Sequence, residues 1–298
     1  MPIRSAMRHP VSAGAGRSLT PVQRVAVHAV LLALCVPFIL PLVWMLSTSF
    51  KTEEQIHPRD QTSALSLRSL WPAPWSAANY PAAMKTVPFA AYLKNTLLLC
   101  VVNVAGAVLS SAIVAYGFSR LKFAGREALF MVLISTMALP GQVTMIPVFA
   151  LFRWLGWYGT FLPLIVPHFF GNAFFIFLLR QFFRTIPEEM AEAARIDGAG
   201  EWRIFWQIML PLARPAMATC ALFQFLWTWN DFFGPLLYIN DPSRYTLAYG
   251  LQQFMSSYGG QWAQLMAGAC VFTIPVILLF FFAQRTFIQG ISTTGTKG

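Results

Sequence analysis

The chain has 298 residues, of which 57% are hydrophobic and only 11% charged, with a mean hydropathy of +0.58. That composition belongs to an integral membrane protein rather than a soluble domain. A formal net charge of +10 invites a nucleic-acid partner, but the placement of the basic residues follows membrane topology instead and speaks for no nucleic acid.

In chain order, residues 1–20 are rich in Ser, Gly and Arg, and residues 1–24 read as a disordered cytoplasmic N-terminus. Apolar runs of about 20 residues, enough to cross a bilayer, follow at 25–48, 92–118, 128–150, 161–182, 210–233 and 263–284. The first of these is too long for the apolar core of a signal peptide, and no small-residue cleavage site follows it cleanly. The expected fold is therefore all-α and multi-pass, a six-helix transmembrane domain over 25–284 with a tail at 285–298. Pro37, Pro140, Pro167, Pro215 and Pro275 fall within five of the runs and suggest bent helices around a cavity, which neighbouring helices or water make tolerable.

Basic residues alternate with these runs. Arg4, Arg8, Arg17 and Arg24 precede the first; Arg120, Lys122 and Arg126 follow the second. Arg180, Arg184, Arg195, Arg203 and Arg214 surround the loop after the fourth, and Arg285 and Lys297 follow the last. With the N-terminus in the cytoplasm all of these lie on one side, about twice as many as on the other. Both termini and the loop over 183–211 are thus expected to be cytoplasmic.

That loop is a charged, helix-prone island. Thr185 and Glu188 have the spacing of a capping box, Pro187 suits a first helical turn, and Glu188 and Glu189 suit its positive end. Nothing breaks a helix up to Ile196. Gly198 permits a turn that a side chain would oppose. A second helix runs from about Gly200 to Met209, with Trp202, Phe205, Trp206 and Met209 at spacings of three and four, predicting large side chains facing one way. A helix–turn–helix of this kind outside the bilayer is suited to pressing against a partner.

Cys35, Cys100, Cys220 and Cys270 all fall inside predicted spans and show no disulfide or zinc spacing. His168, beside Pro167, reads as a packing residue. No phosphate-binding loop and no catalytic or metal-ligand cluster is visible, so any energy source must sit on another polypeptide. Intramembrane charge is nearly absent, Asp231 beside Trp227, Trp229 and Asn230 being the exception. Asn103, Gln142, Asn172, Gln224 and Asn230 could offer amides to a polar solute, and Trp227, Trp229 and Tyr238 flat apolar faces to a ring. Each could equally bind helix to helix.

The stretch Glu192-Ala193-Ala194, then Gly198, then Ile208, Leu210 and Pro211, meets all seven fixed positions of E-A-A-x3-G-x9-I-x-L-P. This resembles the signature of ABC-importer permeases. Ser49-Phe50-Lys51-Thr52, Asn79-Tyr80, Asn95-Thr96, Ala115 to Leu121, Trp229-Asn230-Asp231-Phe232 and the tail from Phe287 are similar to carbohydrate-importer permeases, most closely the MalG-like second permease of maltose-type importers. The resemblance covers nearly the whole chain from about residue 25. It implies a non-enzymatic permease subunit in a bacterial or archaeal inner membrane, importing a sugar, oligosaccharide or related polyol or glycerol phosphate.

The partners implied are a sister permease in a heterodimer, two copies of a cytoplasmic ATP-binding subunit, and an extracytoplasmic solute-binding protein docking near Asp241 to Gly260. This chain would bind no cofactor itself, with ATP and Mg on the ATPase. Glu192, Ala193, Ala194, Asp197, Gly198, Trp202, Phe205, Ile208, Leu210 and Pro211 would couple to the ATPase. Asn103, Asn172, Gln224, Trp227, Asn230 and Asp231 would line the solute path, although in the maltose system the sugar site lies mostly in the other permease. The C-terminal tail ending Lys297-Gly298 would reach the ATPase. A secondary transporter or channel would instead need intramembrane titratable groups or an inverted repeat, and neither is visible. A membrane receptor or scaffold would explain the polar residues in the spans less well.

Overall fold

The computed structural model describes residues 20–57, 71–255 and 260–295, with side chains described to residue 284. The N-terminal stretch 1–19, the tail end Lys297-Gly298 and part of the segment between the last two spans lie outside the described residues. The described chain is helical, with no strand among those residues. The principal helices are α1 Pro21–Ser49, α2 Asn79–Thr86, α3 Phe89–Arg120, α4 Arg126–Thr136, α5 Gly141–Trp154, α6 Ala173–Thr185, α7 Glu188–Ile196, α8 Glu201–Leu212, α9 Arg214–Trp229 and α10 Trp262–Gly295.

Four segments are long and apolar enough to cross a membrane as single pieces: Pro21–Ser49, Phe89–Arg120, Leu162–Thr185 and Trp262–Gln284. Two more qualify only as bent pairs, α4 with α5 at 96° and α8 with α9 at 77°. The third predicted run is thus broken, and its local chemistry shows why. The backbone N–H groups of Met137, Ala138 and Leu139 reach back only three residues, to Ile134, Ser135 and Thr136. Pro140, with no N–H to continue the ladder, then caps α5. The other prolines divide. Pro37 and Pro275 sit inside unbroken helices, whereas Pro167 lies in a short 3₁₀ turn and Pro215 in the first turn of α9.

The central helix is α3. Its face Ala107, Ser111, Ala112, Ala115 and Tyr116 is fully or nearly fully buried, and the small residues let α6 and α9 approach closely. Phe175, Leu179 and Phe183 of α6 fill one side of this core; Phe205, Met209, Ala216 and Cys220 fill the other. A second core at the opposite end of α3 surrounds Tyr92, Cys100 and Trp229, with Leu247, Phe254 and Ala267. Helix α1 stands outside both, its apolar side chains exposed along its length up to the buried Ser47 to Ser49.

Polar ties fix the two ends. At the α1 C-terminus, the Asn79 amide donates to the carbonyls of Ser49 and Lys51, and the Glu53 carboxylate accepts the Ala263 N–H at the start of α10. At the other end, one guanidinium nitrogen of the buried Arg180 lies 3.0 Å from both oxygens of Glu127. The Arg180 Nε donates to the Phe118 carbonyl, and its guanidinium stacks 3.9 Å over the Phe130 ring. This joins α3, α4 and α6 at one point. Arg180→Ala is expected to cost on the order of 3 kcal/mol, from one charge-assisted pair and one desolvated cation–π contact. Thermal unfolding in detergent should show the earlier transition, while Lys122→Ala, exposed on the same loop, should barely move it.

Candidate functional site

The helix–turn–helix forms as expected, with its turn more specific than the sequence pattern alone conveys. Gly198 has φ +81°. Its N–H donates to the Arg195 carbonyl and the Ala199 N–H to the Ala194 carbonyl, at 3.0 and 2.9 Å. This pair is a Schellman closure, with glycine at the left-handed position. No heavy atom lies within 4 Å of where a Cβ at Gly198 would stand. The constraint there is the backbone conformation, not crowding.

Entry into α7 differs from expectation. Thr185 is the last residue of α6, and its hydroxyl donates back to the Phe182 carbonyl, so it does not cap α7. Pro187 is the capping residue, without a side-chain hydrogen bond, and Glu188 and Glu189 occupy the first turn. The second helix also runs further than predicted, to Leu212, with π-helical winding over Phe205–Met209. That winding rotates its side chains, and the four large residues do not face one way. Phe205 and Met209 are fully buried in the core around α3, whereas Trp202 is 64% and Trp206 48% exposed. Ile208 and Leu210 pack against the same core, and Pro211 is half-buried.

The outward face therefore consists of Glu192, Ala193, Ile196, Asp197, Trp202 and Trp206, all exposed, Ile196 at 87%. Ala194 is half-buried behind them. Three large apolar side chains thus stand exposed on one short element. Buried and exposed residues are interleaved in the same stretch.

Several residues that hold this element were not singled out from the sequence. Arg120, the last residue of α3, donates to the carbonyls of Phe183 and Ile186, where α6 ends. The buried Tyr116 hydroxyl donates to Glu201 Oε2, and Arg195 Nε donates to Glu201 Oε1 at 2.8 Å. The hydrogen bond from Arg195, followed by that from Tyr116, holds the Glu201 carboxyl below its ordinary range. These partners are 85 and 66 residues apart for the contacts to α3, and no local pattern links them.

The predicted path residues fall into two sets. Asn172 caps α6, its side-chain oxygen accepting from the N–H groups of Phe174 and Phe175. Asn230 donates to the Leu226 carbonyl at the end of α9, and Asp231 accepts from the Gly234 N–H at the start of the short helix Phe233–Tyr238. These three serve local backbone geometry. Asn103 and Gln224 instead come together: both amides donate to the Thr228 hydroxyl, at 3.5 and 3.0 Å, and Gln224 Nε2 lies 3.4 Å from His168 Nδ1. Both amide residues are almost wholly buried, and the carbonyl oxygen of each has no partner. Trp227 stacks on Phe175 at 5.2 Å and 10° and leaves about half its surface open. Gln142 and Tyr238 line a separate cavity of about 490 Å³ with Thr144, Met145 and Phe233, at the break before α5. That volume lies within the usual range of ligand pockets.

The segment from Asp241 folds onto the far end of α3 rather than looping freely. Leu247 N–H donates to the buried Thr96 hydroxyl, and the Asn95 amide donates to the carbonyls of Ser243 and Tyr245.

Comparison with known proteins matches residues 107–293 to the family described as binding-protein-dependent transport system inner membrane component. A diacetylchitobiose uptake system permease protein of Streptomyces coelicolor is 34% identical, over 90% of this chain and 87% of the relative. An arabinooligosaccharides transport system permease protein of Halalkalibacterium halodurans is also 34% identical, over 68% of this chain and 73% of the relative. The fold is similar to a chain in the crystal structure of a bacterial ABC transporter involved in the import of the acidic polysaccharide alginate. The TM-score is 0.74 at 24% identity, covering 90% of this chain and 98% of that one.

Because Gly198 stands in open space in the left-handed region, its substitutions should rank by backbone preference alone. Gly198→Asn is expected to cost little and Gly198→Ala about 1–2 kcal/mol, with the β-branched Gly198→Val worse. Limited proteolysis across residues 188–212 should follow that order.

Proposed function

This chain belongs to the family of binding-protein-dependent transport system inner membrane components, and on that premise we propose that it is the permease subunit of an ATP-driven carbohydrate importer. It is a multi-pass inner-membrane protein. The carbohydrate assignment is supported by relatives named for the uptake of chitobiose derivatives and arabinooligosaccharides. The observation that carries the coupling role is the division within α7 and α8: Phe205 and Met209 are locked into the protein's own core, while Ile196, Trp202 and Trp206 are held outward around a Gly198 turn. A surface built so rigidly and so apolar is suited to a socket on another subunit.

In this reading the chain crosses the membrane six times, counting α4 with α5 as one bent span and α9, entered from the cytoplasmic helix pair through the 77° bend, as another. Both termini and the helix pair face the cytoplasm, in keeping with the basic residues at that end. A separate ATPase, present in two copies and carrying ATP and Mg, receives the helix pair. A sister permease completes the path, and an extracytoplasmic binding protein delivers solute at the opposite end. Closure of the ATPases carries α7 and α8 with them and opens the path outward. Gln142 and Tyr238 in the cavity at the α4–α5 break, with the exposed Trp227, are placed to meet solute; Asn103 and Gln224 lie deeper, and Asn172, the exposed Asn230 and Asp231 shape the backbone around the path.

The test is purification of the tagged protein in gentle detergent, alone and with Glu192→Lys or Gly198→Val. An ATPase and a second permease should accompany the unsubstituted chain. Both variants should reach the membrane, lose the ATPase and abolish solute-stimulated ATP hydrolysis. Normal stimulation in both variants would overturn the coupling role. Solute movement by this chain alone in liposomes without ATP would assign it to secondary transport.

A further inference from the structure

The helix pair is continuous in sequence with α6 and α9, but it touches α3 only through space. Two kinds of contact make that connection. One is apolar: Ile204, Phe205 and Met209 pack among Ala112, Ala115 and Tyr116. The other is polar and unusually placed. Tyr116 sits one turn from the end of α3, 5% exposed, with its ring against Phe205 and Phe183 at 5.3 and 6.3 Å. Its hydroxyl donates to one oxygen of Glu201, the first residue of α8, while the other oxygen accepts from Arg195 in the last turn of α7.

We infer that Tyr116, Glu201 and Arg195 form a latch that transmits movement of the helix pair to α3, and that Tyr116 is a positioning residue for the transport cycle. This inference rests on the permease reading above. A single carboxylate tied to both α7 and α3 makes the two halves of the helix pair move as one body with the membrane helix. The packing of Phe205 and Met209 holds the helix pair against the core, and the hydrogen bond to the carboxylate adds a directional, charge-assisted tie at the first turn of α8. A cavity of about 160 Å³ lies directly beside the latch, lined by Gly117, Leu121, Trp202 and Phe205 as well as Tyr116 and Glu201. That space lies at the edge of the α3–α8 contact, where the polar tie adds to the packing of Phe205 and Met209. The geometry separates docking from transmission: Ile196, Trp202 and Trp206 meet the partner, and Tyr116 passes the displacement on.

The discriminating experiment uses the complete transporter, with its ATPase, sister permease and binding protein, reconstituted in liposomes. Tyr116→Phe removes one hydroxyl and leaves the ring contacts in place. Complex stoichiometry and basal ATP hydrolysis should match the unsubstituted complex, and the thermal transition should fall by only a few degrees. Solute moved per ATP hydrolysed should fall about tenfold, the scale of one hydrogen bond to a charged group. Glu201→Gln should reduce the same ratio, and the double variant should be no worse than the more severe single one, because both break one connection. An unchanged ratio in Tyr116→Phe would overturn the latch. Loss of the ATPase from the Tyr116→Phe complex would also overturn it, by making Tyr116 a docking residue. Failure of the unsubstituted chain to recruit any ATPase would overturn the importer reading and the latch together, and appears in a different sample.

Discussion

The close approach of α6 and α9 to one small-residue face of α3, with α8 reaching the same core through Phe205 and Met209, is the constraint on which the rest of this protein depends. Ala107, Ala112 and Ala115 carry side chains too short to hold neighbouring helices apart, so Phe175, Phe183 and Phe205 reach between them and are buried completely. Between apolar helices in a bilayer, exclusion of water offers no drive for association; dispersion contacts and interhelical hydrogen bonds must do that work. The aromatic side chains supply the first. Arg120, Tyr116 and Arg180 supply the second, each ending on a carbonyl or carboxylate of another helix.

From that core the functional geometry follows. The helix pair cannot rotate about its own axis, because Phe205 and Met209 are fixed inside, and so the exposed residues on its other side keep one orientation. The π-helical segment over Phe205–Met209 is part of this arrangement. It is where one helix buries Phe205 and Met209 on one side and exposes Trp202 and Trp206 on the other. The 77° bend into α9 then separates the helix pair from the membrane helix that follows.

The second bend has a different character. At Met137–Pro140 the backbone tightens, loses its ladder and restarts as α5 at 96°. Irregular backbone at membrane depth is tolerated where it is covered by protein or lines a cavity, and the cavity holding Gln142, Thr144 and Tyr238 begins at this break. The buried amides of Asn103 and Gln224 form a separate polar point, between α3 and α9, with two carbonyl oxygens left without donors.

Much of this was legible in order of residues. Apolar runs located the membrane helices because span length is set by bilayer thickness, and the fixed spacing of Glu192, Gly198 and Pro211 located the helix pair because a left-handed turn demands glycine. Short-range chemistry writes itself into short-range sequence. What the sequence left open depended on partners far away in the chain. Trp202, Phe205, Trp206 and Met209 share a helical spacing, yet only the position of α3, together with local π winding, divides them into buried and exposed residues. Thr185 has the spacing of a cap, but α6 continues through it and takes its hydroxyl. Asn172, Asn230 and Asp231 are as polar as Asn103 and Gln224, and only the fold shows that the first three are spent on their own backbone while the other two meet at Thr228. The sequence by itself determined which segments are helical, apolar and turning, because those properties arise within a few residues. The tertiary structure decided which face of each is buried and which polar group finds a partner, because those depend on where another helix stands.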